Sequence, residues 1–317
     1  MPSRLSTIVS KSTIQEYAQG AAQSAAAPVA DFLAPTVEVA KPIAYYKVYD
    51  DKRRFRVPNT RRAINGRAVE IGWEATDAQY NCSPHALDVP VDIIETDDEN
   101  TMENSLREAA DLGAAVGSLS HEKETIDTAL QLLTPGLANL DFAADADVID
   151  QIDERIIQVI KAARYGSLLG VRMLFGPTFF RRLKNHKSVK GRFLGAGSKK
   201  EAVNPTIDDL LSLFIAKPEI KLSMMVADEA PEGKPADVDF LLDESLIVFA
   251  ASSHPTRHDP SFMKTFRLRG RWMKPGTYAR DDGRVEVAKL DWSHDVKITN
   301  TLAAQLLKIE QPAPAQG

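Results

Sequence analysis

The chain has 317 residues and a mass of 34.8 kDa, enough for two domains of ordinary size and a substantial buried core. At 44% hydrophobic and 26% charged, with a mean hydropathy of -0.24, its composition excludes global disorder and a membrane-resident class. Basic residues number 39 against 44 acids, and the resulting charge of -5 has the wrong sign for a coat held on nucleic acid by net charge. One cysteine, Cys82, permits neither an internal disulfide nor a thiolate cluster for zinc. No stretch reaches the roughly 18 to 20 apolar residues of a spanning helix, and Met1-Pro2-Ser3-Arg4 leads into polar residues, so the chain is expected to be cytosolic at birth, with no membrane partner.

The first forty residues, rich in Ala, Ser, Gln and Pro, read as an arm whose sparse anchors Val29, Phe32, Leu33, Val37 and Val39 must dock on something else. From Tyr45 the pattern becomes strand-like. Tyr45 to Tyr49 on one side, and Val69, Ile71 and Trp73 at period two on the other, suit a long hairpin. Asn65-Gly66 supplies a turn pair, and Pro58 marks an irregular or edge segment.

The hairpin loop is cationic: Lys52, Arg53, Arg54, Arg56, Arg61, Arg62 and Arg67 stand in a stretch without an acid. Phe55 is the one aromatic inside the basic run, too few stacking platforms for a single-strand binder. The next segment has the opposite sign, with Asp92, Glu95, Asp97, Asp98, Glu99, Glu103, Glu108 and Asp111 against Arg107 alone. Complementary charge within one chain suits identical copies that interlock, loop against acids. A solvated face and a nucleic-acid patch are the competing readings. In the interlocking reading the charges set register, while Phe55, Ile71 and Trp73 contribute most of the affinity.

Leu106, Ala109, Gly113, Val116, Leu130 and Leu133 recur at helical spacing and predict one long helix over about Met102 to Leu133, with Gly113 and Gly117 marking a close-packed neighbour. After Pro135-Gly136, Asp147 caps an amphipathic helix bearing Ile149, Ile152, Ile156, Val159 and Ile160. The strand Val171 to Phe175 and a helix entered at Pro177 follow, then a basic loop from Lys184 to Lys200 and a short helix begun by Thr206-x-x-Asp209. Strands around Leu222 to Val226 and Leu246 to Ala251 complete an α/β unit. The last seventy residues read as strands, Phe262 to Met273, Arg284 to Leu290 and Val296 to Ile309, expected to pair in one antiparallel sheet before a short disordered tail.

The candidate chemical motifs have ordinary explanations. Gly195-Ala-Gly-Ser-Lys199 lacks the Gly-Lys-Ser/Thr of a phosphate loop. His254, His258 and Asp259 straddle Pro255 and read as a turn, and Cys82 near His85 reads as a buried thiol. Asp97-Asp98 and Asp208-Asp209 sit at helix starts as caps. The expectation is a non-enzyme with no catalytic residue, cofactor or metal.

Three stretches resemble the major capsid proteins of tailed bacteriophages with the Hong Kong 97-type fold. Val29-Ala-Asp-Phe-Leu-Ala-Pro-Thr-Val-Glu-Val with Tyr45 to Asp50 is similar to the end of that family's N-arm and the entry to its extended loop. Trp73 to Val91, with Tyr80-Asn-Cys-Ser-Pro-His-Ala-Leu-Asp-Val-Pro-Val, resembles the return to the spine helix. Val148 to Arg192, with Ile149-Asp-Gln-Ile-Asp-Glu-Arg-Ile-Ile, Met173-Leu-Phe-Gly-Pro and Arg182-Leu-Lys-Asn-His186, resembles part of the axial domain.

The resemblance implies an α+β chain with an N-arm over 1–43, an extended β-hairpin loop over 44–91, a peripheral domain with its spine helix over 92–135, an axial α/β domain over 136–250, and peripheral return strands and tail over 251–317. It implies self-assembly as pentamers and hexamers into an icosahedral virion shell, formed in the host cytoplasm around double-stranded DNA contacted non-specifically. Portal, separate scaffolding and decoration proteins are the other implied partners. The expected assembly interface is Lys52, Arg53, Arg54, Phe55, Arg56, Arg61, Arg62, Arg67 and Trp73 against Asp97, Asp98, Glu99 and Glu103. No lysine–asparagine cross-link is expected, Lys52 being a candidate only through its place in the loop. An encapsulin-like or gene-transfer-particle shell is the alternative, and an α/β enzyme or nucleic-acid-binding protein with an unrecognised site is the alternative of a different class.

Overall fold

A strand with every side chain buried, β10 (Ser245–Ala250), needs partners on both edges and cover on both faces. The computed structural model, which describes residues 29–48, 59–68, 70, 76–92, 94, 99–143, 145–163, 170–193, 206–228, 230, 234, 237–281 and 283–310, supplies both. In this first sheet β10 lies antiparallel between β6 (Val171–Phe175) and β14 (Ala304–Ile309), with β7 (Glu219–Leu222) parallel to β6 and β5 (Ala138–Leu140) parallel to β14 at the edges.

Helix α3 (Val148–Ala163) lays Ile149, Ile152, Ile156 and Val159 into the same core at spacings of three and four. Its cap is Asp147, whose Oδ1 accepts from the Asp150 amide at 3.4 Å. Helix α4 (Pro177–Asn185) starts on its proline, and a Cβ on the preceding Gly176 would stand 1.9 Å from the Asp243 carbonyl oxygen. The expected basic loop from Lys184 is interrupted by a further helix, α5 (Lys187–Phe193), which buries Val189. Helix α6 (Ile207–Leu213) begins with the capping box of Thr206 and Asp209. The strand expected around Leu222 to Val226 divides at buried Ser223 into β7 and β8 (Val226–Asp228), and β8 pairs with β9 (Val238–Phe240) in a separate ribbon.

The second sheet is organised by β13 (Val285–Ile298). One of its edges carries β4 (Ser83–Asp92); the other carries β12 (Lys274–Ala279) and then β11 (Met263–Leu268). Across it runs α2 (Glu99–Leu133), 35 residues or about 52 Å long. A Cβ on Gly113 would meet Leu290 Cδ1 at 2.5 Å and one on Gly117 would meet Met273 Cε at 2.9 Å, which is the close neighbour expected from the glycines. Val116, expected to face inward, is 43% exposed, because the two glycines and Ala114 occupy the face nearest the sheet. No described helix is long and apolar enough to cross a membrane.

Two expectations are corrected. The last strand of the chain leaves the second sheet and pairs with β10, because Ala304, Leu306 and Leu307 belong to the apolar core of the first sheet. The anchors of the supposed arm dock within their own chain. Val29, Phe32 and Leu33, around α1 (Ala30–Leu33), enter the first core, where Phe32 meets Phe249 edge-on at 5.6 Å. Val37 and Val39 lie on β1 (Thr36–Val39), which pairs in parallel with β11. Residues 1–28 lie outside the described residues.

Candidate assembly surface

The hairpin starts from β2 (Ile43–Val48) and β3 (Thr76–Asn81), paired antiparallel from Ile43 with Asn81 to Val48 with Thr76. Period-two alternation gives it two faces. Tyr46 and Tyr80 turn inward onto Phe266, the second stacked on it at 4.5 Å and 13°. Ile43 and Tyr45 turn outward, Tyr45 65% exposed. Beyond β3, the Asn81 amide donates to Asp295 Oδ2 at 2.7 Å, and the Cys82 amide donates to the Pro42 carbonyl at 2.9 Å. Cys82 is the buried thiol expected. Its Sγ donates to the Phe266 carbonyl at 3.4 Å, and burial, followed by the Asp295 charge, pushes its pKa up to about 11. Lys47 Nζ and Asp77 Oδ1, 2.6 Å apart, pair across the rung before the last described one, Val48 with Thr76.

Further along the loop, Asn65 adopts the expected positive φ, 65°, and the Gly66 amide donates to the Ala63 carbonyl at 2.9 Å. Arg61, Arg62 and Arg67 are exposed there beside Ile64, itself 94% exposed. Lys52, Arg53, Arg54, Phe55, Arg56 and Trp73 lie outside the described residues, as do Val69, Ile71, Asp97 and Asp98. Glu99 is the first residue of α2. Glu103 is ion-paired with Arg107 one turn on, so it is already partnered within its own helix. Glu108, Asp111 and the apolar Leu112 and Val116 form the exposed side of α2. The described part of the expected interface is therefore a basic stretch beside an exposed isoleucine in the loop and an acidic helix face.

Sequence reasoning missed a polar joint beneath α2. His294 of β13 stacks on His85 of β4 at 4.6 Å, meets His121 of α2 edge-on at 4.7 Å, and has Nε2 2.8 Å from Glu124 Oε2. Arg267 of β11 sits 3.6 Å over the Trp272 ring, pairs with Asp31 at 2.8 Å and lies 3.4 Å from His121 Nε2. Burial, then the charges of His294, Arg267 and His85, lower the His121 pKa to about 2. Next to it, the wholly buried Glu122 accepts the Val29 amide at 2.9 Å, and burial raises its pKa to about 7 against the pull of the Val29 and Ala30 amides. No local spacing announces these residues, since sheet pairing and helix packing bring them together.

His85, Glu124 and His294 bring one ligand atom each within 4.8 Å of the others. The two imidazole planes are 27° apart with centroids 4.6 Å apart, and Nε2 of His294 is engaged by the Glu124 carboxylate. The hydrogen bond to His294 lowers the Glu124 pKa. That geometry is a hydrogen-bonded stack. The turn at His254 and His258 is likewise held by Asp259, which accepts the Thr256 amide at 2.7 Å and pairs with buried Lys264 at 3.0 Å.

The backbone decides the fold: two five-stranded sheets, a long helix over one of them and a hairpin base clamped to its edge superpose on solved structures along nearly the whole chain. The fold is the Hong Kong 97 type. A phage-related protein from Bordetella bronchiseptica matches with a TM-score of 0.63 at 16% identity, over 93% of this chain and 96% of that one. The SrpI encapsulin of Synechococcus elongatus gives 0.53 at 12%, over 91% of each chain. The mature capsid of bacteriophage PhiM1 gives 0.51 at 13%, over 89% of this chain and 87% of that one. No protein-family model and no curated protein matches the sequence.

Proposed function

We propose that this chain is a major capsid protein, one that assembles with copies of itself into an icosahedral shell around the double-stranded DNA of a tailed phage. The observation that carries the reading is the Hong Kong 97-type fold over nine-tenths of the chain, shared with the mature capsid of a bacteriophage. It is supported by a hairpin that leaves Ile43, Tyr45 and Ile64 in water, apolar surface that a neighbouring copy would cover. The role is structural and not catalytic, and the working location is the virion, assembled in the host cytoplasm.

In this reading residues 44–91 are the extended loop, 92–135 and 251–317 form the peripheral domain, and 136–250 the axial domain, with β14 lent by the C-terminal segment to the axial sheet. Lys52, Arg53, Arg54, Arg56, Arg61, Arg62 and Arg67 face Asp97, Asp98, Glu99 and Glu103 of an adjacent copy, with Phe55 and Trp73 contributing apolar contact. The copies group as pentamers and hexamers, with a portal, and with scaffolding and decoration proteins as separate chains.

Electron microscopy beside size-exclusion chromatography tests it. Hollow shells are expected from the purified protein, and a globular monomer under every assembly condition would overturn the reading. The likeness to an encapsulin favours one second reading, a compartment with protein cargo. Particles purified from the native source separate the two: nuclease-protected DNA inside supports a virion or gene-transfer particle, and a stoichiometric enzyme inside supports a compartment.

A further inference from the structure

Charge is distributed unevenly around the first sheet. From Arg155 to Lys200 the sequence holds twelve basic residues and no acid, whereas from Glu201 to Glu244 it holds eleven acids against Lys217, Lys221 and Lys234. The described parts of these two stretches stand on different elements. Helices α4 and α5 carry Arg181, Arg182, Lys184, Lys187, Lys190 and Arg192. Two of these cations are paired, Arg182 with Glu244 at 3.0 Å and Arg192 with Asp147 at 2.7 Å. The other four have no ion pair among the described residues.

The acidic counterpart is the β8–β9 ribbon. Asp228, Asp237 and Asp239 are exposed on it, and so are Met224, Val226, Val238 and Phe240, of which Met224 and Val238 are about three-fifths exposed. Two three-residue strands with one buried side chain between them, Ala227, have little to hold them and leave Val226, Val238 and Phe240 partly in water. Among the described residues no ion pair links the ribbon to α4 or α5 of its own chain.

We propose that the β8–β9 ribbon of one copy docks on the α4–α5 surface of the next, so that identical copies join head to tail in a closed ring. The proposal rests on the shell reading above and names a second contact for it. A nucleic acid would account for the cations but would leave the ribbon's apolar residues in water and bring its acids no cation. A second copy answers both features with a single interface, in which apolar burial gives affinity and the charges give register and encounter rate. Each copy uses both surfaces once, so damage to either breaks every contact in the ring.

Three full-length variants test this: Lys184→Glu with Lys187→Glu and Lys190→Glu; Asp237→Lys with Asp239→Lys; and the two sets combined. Sedimentation velocity at low salt reads self-association, and circular dichroism checks that each variant is folded. Either reversal alone should weaken association roughly tenfold, and the combination should regain most of the loss. Unchanged association in both single sets, beside a parent that assembles, overturns this contact and leaves the shell reading standing. Loss in both sets without recovery in the combination also overturns it. A cation reversal that associates normally but no longer retards a short DNA duplex assigns the α4–α5 surface to nucleic acid instead. A parent that stays monomeric throughout overturns both readings.

Discussion

The two five-stranded sheets are held by different physics. Around β10 one continuous cluster joins Phe32, Phe175, Phe179, Phe249 and Phe262 with the inward face of α3, and the one buried polar side chain on the described strands of its sheet is Ser245. Under α2 the apolar core breaks into small groups, Val91 with Leu106 and Ala109, and Met273 with Leu290 and Trp292, while Tyr46 and Tyr80 pack with Phe266 on the far face of the sheet. Between them sit His121, Glu122 and His294, all buried. Where α2 lies closest to its sheet, at Gly113 and Gly117, only glycine and alanine fit, and paired polar groups separate the small apolar clusters. The thick unit should therefore respond chiefly to lost volume, and the thin layer to fit and protonation.

The largest effect should come from emptying the thick core. Phe249→Ala removes a wholly buried ring that touches Phe32 and Phe262, at an expected cost of about 3 to 5 kcal/mol. Chemical denaturation measures it, and a loss near that of an exposed residue would break the contrast.

Protonation should expose the thin layer. His121, held near 2 in the fold against 6.5 when exposed, contributes stability that is present above pH 6.5 and is lost as pH falls below it. Glu122, raised from 4.5 to about 7, contributes stability that is present below pH 4.5 and is lost as pH rises toward 7. The two slopes oppose each other between pH 4.5 and 6.5, each about 1.4 kcal/mol per pH unit. Glu122→Gln, which keeps an acceptor for the Val29 amide, should unmask a loss of about 3 kcal/mol as pH falls from 6.5 to 4.5. His121→Gln should unmask the opposite slope. Thermal denaturation across this range checks both, and slopes of the same sign in the two variants would refute the assignment.

Fit is tested by one substitution at two glycines. Gly113→Ala places a methyl against Leu290, which is itself buried, and should cost about 1 to 2 kcal/mol despite better helix propensity. Gly191→Ala on α5 meets nothing within 4 Å and should gain about 0.5 to 1 kcal/mol. Equal signs would mean that α2 stands off its sheet by more than the packing shows.

What was legible in the sequence follows the same division. Periodicity found α3, β6 and β10 because each buries a full apolar face, and Pro177, Thr206 and Asp147 marked helix starts by local chemistry. Gly113 and Gly117 told of close packing without naming the partner. The placement of Ala304–Ile309 and of Val29 to Val39 was not legible, since a short apolar strand carries no mark of which sheet it joins. The histidine joint was hidden for the same reason: His85, His121 and His294 meet only after three distant elements have packed. Of the expected interface, charge was readable but partnership was not, as the pairing of Glu103 with Arg107 shows.

The smallest effect belongs to the surface of the thick unit. Asp147 does two things there: Oδ1 accepts the Asp150 amide at the start of α3, and Oδ2 pairs with Arg192 of α5 at 2.7 Å. The Arg192 hydrogen bond, more than the capping amides, lowers its pKa, but both side chains are substantially exposed and solvent screens the pair. Asp147→Asn keeps the cap and loses the charge, so it should cost only a few tenths of a kcal/mol. Asp147→Ala loses both and should cost about 1 kcal/mol, most of it from the cap. If the two variants lose equally, the ion pair between α3 and α5 outweighs the cap, and the surface of this unit depends on charge in a way its core does not. Chemical denaturation at low and high salt decides, because screening weakens the pair and leaves the cap in place.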